Sequence, residues 1–203
     1  LPLTTEQKTH FFMALLYLYI DIVNLITEFE CYTQSMNKIG RGWQYTAYDL
    51  GNGRVLKRRN TKIESYRVMF KSTLPFPPIW KFPKFYRSAQ NEAISSLKKV
   101  QQSSLDKGIF GNPIFLNEIN YEQDKVLPLQ TYFKACSFEE GKIAIDKFIE
   151  FNKVLVRNYF IDKSFAIGKN FGLDKNYEIV MCDIGEIWSD PKNIKKQITN
   201  RVW

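Results

Sequence analysis

The sequence predicts an α+β fold, and three observations carry that reading. Residues 45–50 and 54–58 alternate about Asn52-Gly53, a strong hairpin signal. Residues 114–119 and 125–129 read as two further strands after Gly111-Asn112-Pro113. Ser137-Phe138-Glu139-Glu140 has capping-box spacing and opens a helix in which Ile145, Phe148, Ile149, Leu155 and Val156 recur at helical period.

The other elements follow in chain order. Residues 5–35 form one long, mostly buried helix, entered through Thr4-Thr5-Glu6-Gln7. Its apolar part, 11–26, contains Asp21 and is short for a membrane span, so packing on a core or a partner is the reading. From Lys38 the pattern changes to short segments punctuated by Gly40, Gly42, Gly51 and Gly53. The proline-rich run from Leu74 to Pro83 is read as neither regular helix nor central strand. Residues 88–100 form a helix with Ala93, Leu97 and Val100 on one face, and 176–182 a strand entered through a turn at Asp174-Lys175-Asn176.

Bulk properties narrow the chemistry. The chain has 203 residues, 44% hydrophobic and 25% charged, which fits one globular domain with a sizeable core. A net charge of +8 favours anionic partners. Runs such as Lys57-Arg58-Arg59 are nevertheless common on solvated faces, and no aromatic-interleaved RNA-binding motif accompanies them, which argues against nucleic acid. Cys31, Cys136 and Cys182 are scattered, as expected of reduced thiols in the cytoplasm. With His10 as the single histidine, a Cys/His zinc site and a His-based triad are both excluded.

Candidate chemistry begins at Gly40-Arg41-Gly42. Glycines there let backbone N–H groups approach phosphate oxygens, although an ordinary hairpin turn is the simpler explanation when the motif is taken alone. Lys57, on the returning strand, would lie beneath that loop and neutralise phosphate charge; alone it reads as a surface lysine. Asp183 ends a buried apolar strand and precedes Ile184-Gly185. A carboxylate in that position needs a cation or donors beside it. With the Asn170 carbonyl and phosphate oxygens it makes a reasonable magnesium set.

This order, Gly-x-Gly, Val55-Leu56-Lys57, a helix carrying Glu92, a loop ending in Asn170 and then Asp183-Ile184-Gly185, resembles the protein-kinase signature set. The thirteen-residue step from Asn170 to Asp183 fits it. The Cys182-Asp183-Ile184-Gly185-Glu186 run is also similar to that of the small bacterial YrbL-type kinase-like proteins.

The resemblance implies a two-lobed kinase-like fold: an extra N-terminal helix in 1–37, an N-lobe in 38–130 and a minimal C-lobe in 131–203. It implies that ATP and magnesium bind. Gly40 and Gly42 would cover the phosphates, Lys57 would contact them, Glu92 would hold Lys57, and Asn170 and Asp183 would bind the metal.

Departures are visible. The kinase base position, five residues before Asn170, is Phe165, so either Asp162 serves from a longer loop or the base is lost. Tyr45 replaces the third glycine, and Glu64 lies too close to Lys57 to be its usual partner. Twenty residues after Asp183 leave no room for protein-docking helices. The expectations are therefore a phosphotransferase acting on a small-molecule, lipid or partner-presented hydroxyl, or a pseudokinase. Residues 10–30 would contact a protein or a membrane surface.

Overall fold

The computed structural model describes residues 36–200 apart from 75–77 and 165. The helix expected over 5–35, and the contact surface at 10–30, lie outside the described residues. The chain divides into the units Leu1–Asn37 and Lys38–Trp203, and the second carries the fold described below.

That fold is α+β with mostly antiparallel pairing. Strands β1 (Asn37–Arg41), β2 (Tyr45–Asp49), β3 (Arg54–Arg59), β4 (Ile114–Phe115) and β5 (Tyr121–Asp124) build one sheet in the order β1-β2-β3-β5-β4. The β2–β3 hairpin is the predicted one. Gly51 and Gly53 adopt φ of 76° and 79°, a left-handed conformation that favours glycine, and Asp49 and Asn52 side chains accept from the turn N–H groups of Gly51 and Arg54.

The second strand of the next hairpin lies earlier than predicted. Asn117 Oδ1 accepts from the N–H groups of Ile119 and Asn120, closing the turn before Tyr121. Lys125 is thereby left outside β5, and its ammonium pairs with Asp49 at 2.6 Å.

Helix α1 (Lys62–Ser72) fills a stretch for which the sequence reading had no element. Its signal is a capping box: Thr61 Oγ1 accepts from Glu64 N–H while Glu64 accepts from Thr61 N–H. Helix α2 (Phe82–Gln102) starts six residues before the predicted position, because Pro83 sits in its first turn, where a missing N–H costs nothing. Ala93, Leu97 and Val100 are buried as expected.

After β6 (Leu127–Pro128) and the short α3 (Leu129–Tyr132), α4 (Phe138–Arg157) begins at the predicted Ser137–Glu140 box. Its inward face is Ala144, Phe148, Phe151 and Leu155, and both phenylalanine rings meet Phe171 edge-on. Ile145 and Ile149 are half exposed. They lie one position around the helix from that face, so apolar spacing alone misplaced them.

The remaining elements are β7 (Ile161–Asp162), α5 (Ile167–Asn170), β8 (Phe171–Leu173), β9 (Ile179–Met181), β10 (Ile187–Trp188) and α6 (Pro191–Asn200). Strands β6-β8-β9 form a second sheet, and β10 pairs with β7 through Ile187 opposite Asp162. The turn before β9 is held by Asp174 Oδ1, which accepts from Asn176 and Glu178 N–H. One apolar core runs through these parts, from Tyr45 and Tyr121 on the larger sheet to Leu97 of α2, Leu155 of α4 and Met181 of β9. No helix among the described residues is long and apolar enough to cross a membrane.

Candidate active site

Residues opposite one another in an antiparallel ladder share a face, so Lys57, which faces Ala47 and Tyr121, lies on the face that also carries Val55 and Gln123. That face is turned to the β8–β9 hairpin. Gln123, 2% exposed, donates from Nε2 to the Cys182 carbonyl at 2.8 Å, and Tyr45 meets Tyr121 edge-on with centroids 5.6 Å apart. The sheet thus anchors the chain one residue before Asp183.

A cavity of about 870 Å³ opens between the β1–β2 turn, β3 and the ends of the hairpin. Gly40, Gly42, Lys57, Asn170 and Asp183 all line it, together with Glu186. The turn is braced from behind by Asn60, which is 2% exposed. Its Nδ2 donates to the Gly42 and Trp43 carbonyls at 2.8 and 3.2 Å, and its Oδ1 accepts from Thr46 Oγ1 at 2.6 Å. Ser65 Oγ donates to the Trp43 carbonyl as well, at 3.2 Å.

The hairpin explains how residues thirteen apart meet. Strands β8 and β9 pair from Phe171 opposite Met181, so Asn170 at the entrance and Cys182 at the exit are neighbours. The Asn170 carbonyl accepts from the N–H groups of Cys182 and Asp183 at 2.8 and 3.2 Å. Its side-chain Nδ2 donates to Asp162 Oδ2 at 3.0 Å and to Ser164 Oγ at 2.7 Å. With both amide hydrogens used, the Oδ1 atom is the one left for another partner.

Asp162 is 3% exposed and sits behind Asn170 rather than among the cavity-lining residues. Burial and the charge of Asp183 push its carboxyl up, while bonds from Asn170 and Ser164 oppose that shift. Phe165 lies outside the described residues.

Glu92 is placed differently from the resemblance: its Oε1 pairs with Lys163 Nζ at 2.6 Å. Glu64 pairs with Arg58 at 2.7 Å and Arg41 at 3.1 Å. Burial would raise Glu64, but hydrogen bonds from Arg58 and the Thr61 N–H, with the two guanidinium charges, hold it below its usual value. Lys57 lines the cavity, and no ion pair of it is formed among the described residues.

Glu186 was not expected at the site. Its carboxyl is pushed up to about 7, chiefly by burial and then by the charges of Asp183 and Glu92. Gln44 reaches it from the glycine turn, Nε2 donating to Glu186 Oε1 at 3.4 Å and to the Ala89 carbonyl at 3.2 Å. A Cβ on Gly185 would meet Gln44 Oε1, the end of a flexible side chain, and come within 3.1 Å of the Tyr45 ring, so a larger residue there requires Gln44 to move. Its place there depends on the turn after Asp183, which sends Ile184 into the core and returns Glu186 to the cavity.

Cys182 does not offer a nucleophile: burial pushes its thiol up to about 11 although Lys57 opposes the shift. Tyr45 Oη and Gln123 Oε1 are buried without a hydrogen-bond partner on this side of the sheet. No three His, Cys, Asp or Glu side chains among the described residues could hold a metal by themselves. A cation here would need the Asn170 amide, phosphate oxygens or water to complete its shell.

No family model matches the chain. No curated protein matches it. Among solved structures it is similar to Rv3197 from Mycobacterium tuberculosis, in a complex with erythromycin, at 12% identity and a TM-score of 0.43. The match covers 78% of this chain and 47% of that one, so the chain spans about half of that structure's length.

Proposed function

We propose that the chain is a kinase-like protein with two lobes, the second of them minimal, that binds ATP with magnesium. The single observation that carries this reading is the shared cavity of Gly40, Gly42, Lys57, Asn170 and Asp183, with the Asn170 carbonyl bonded to the N–H of Asp183. Its volume of about 870 Å³ falls within the roughly 300–1,000 Å³ usual for small-molecule and cofactor pockets. Lys57 supplies positive charge toward the phosphates, the β1–β2 turn covers them, and Asn170 Oδ1 with Asp183 offers oxygens to a divalent ion. Such an ion would neutralise phosphate charge.

As a phosphotransferase, the chain would use Asp162 to orient an acceptor hydroxyl on a small molecule, a lipid or a partner. Two observations favour the alternative, a pseudokinase that acts as a binding module. Asp162 is buried behind Asn170 with its oxygens engaged, and Glu92 is committed to Lys163 rather than Lys57. Either reading belongs in the cytoplasm, where the nucleotide and magnesium are found, with contact at a membrane surface. Basic nucleic-acid binding is the weakest reading.

Thermal unfolding with ATP, with and without magnesium, tests the proposal. Stabilisation that needs magnesium and disappears in Asp183→Ala supports it; an unchanged midpoint in the parent chain removes it. Phosphate transfer that survives Asp162→Ala removes Asp162 as the base.

A further inference from the structure

Away from the cavity, α1 and the start of α2 present a surface that the nucleotide-binding reading does not use. Tyr66 of α1 packs on Phe82 and Tyr86 of α2, with centroids 5.6 and 6.2 Å apart, so the two helices are joined by an aromatic seam. Beside that seam runs an apolar groove of about 380 Å³, bounded by Ile63, Phe70, Ile79 and Phe82. Of its lining, Ile79 is 57% and Phe70 43% exposed, and next to these in sequence Trp80 is 78% and Leu74, just after α1, 57% exposed. Scattered exposed apolar residues need no explanation, but a contiguous group marks an interaction surface.

The charge around this group is of one sign. From Ser65 to Asn91 the sequence contains no acidic residue, whereas Arg67, Lys71, Lys81, Lys84 and Arg87 are all exposed. The acid at the start of α1, Glu64, is bound to Arg58 and Arg41.

We infer that this face, with Ile79, Phe70, Arg67 and Lys71 at the groove and the exposed Trp80, Lys81 and Lys84 beside Ile79 in the chain, docks on an anionic lipid bilayer surface. The charge complements acidic headgroups. Trp and the aliphatic side chains gain by entering the headgroup–acyl boundary. Nucleic acid would use the cations but give Ile63, Leu74 and Ile79 nothing to bury against. This inference does not depend on nucleotide binding.

The test is co-sedimentation of the full chain, without nucleotide, with vesicles of phosphatidylcholine or of phosphatidylcholine plus phosphatidylserine. The chain should pellet with the anionic vesicles and be released as salt rises. The I79D/W80D double variant should lose about tenfold or more of that partitioning at an unchanged unfolding midpoint, since both side chains are exposed. F138D, at an exposed apolar residue of α4, should bind as the parent does. Vesicle binding retained by I79D/W80D, or reduced equally by F138D, overturns the inference. So does a chain that leaves anionic vesicles in the supernatant while binding single-stranded RNA.

Discussion

The carbonyl of Asn170 accepts a hydrogen bond from the backbone N–H of Asp183 at 3.2 Å, and the same residue's amide group donates to buried Asp162. Asn170 therefore ties the Asp183 backbone and the buried Asp162 carboxylate to one framework. Asn170→Ala should destabilise the fold by about 2–3 kcal/mol, because it strips one donor from the buried Asp162 carboxylate and another from Ser164 Oγ. Denaturant unfolding measures that loss. Any magnesium-dependent response to ATP should fall with it, and a variant that keeps both stability and response would remove Asn170 from the site.

Glu186 gives a pH signature. Its folded value is raised, to about 7, so the neutral carboxyl favours the fold. That contribution is complete below the ordinary glutamate value of about 4.5 and is lost as pH rises through about 7. After discounting for its partial exposure, the loss is about 1–2 kcal/mol. Glu186→Gln should be more stable than the parent at pH 8 by roughly that amount, and the advantage should vanish in mild acid. Parallel stability–pH curves for the two proteins would contradict this.

Gly185→Ala should cost about 1–3 kcal/mol, since the new methyl displaces the buried Gln44 amide from between the glycine turn and Glu186. Chemical denaturation reads the cost. A double variant, Gly185→Ala with Gln44→Ala, should recover part of it, because the displaced atoms are then absent.

Asn60→Ala should loosen the β1–β2 turn. It removes bonds to the Gly42 and Trp43 carbonyls and to Thr46, for an expected loss of about 2–3 kcal/mol. Hydrogen exchange should accelerate in β1 and β2 while the β8–β9 hairpin keeps its protection.

By itself the sequence determined what local rules govern. The Asn52-Gly53 hairpin, the Ser137 capping box and the Asp174 turn depend on residues only a few positions apart, and each formed at or near its expected place. The Thr61 box is the same kind of local signal for α1. The thirteen-residue step from Asn170 to Asp183 came from the kinase resemblance, and the β8–β9 hairpin brings those two backbones together.

Only tertiary packing decided the rest. Glu92 pairs with Lys163, Gln44 reaches Glu186, and Ile145 faces solvent instead of the core. The Glu92 and Ile145 outcomes depend on how a helix is rotated against its neighbours, and the Gln44 contact on how the β1–β2 turn meets the chain between β9 and β10. A shift of one residue around a helix moves a side chain by about 100°, and helical period alone does not say which side of an apolar stripe will find its partner.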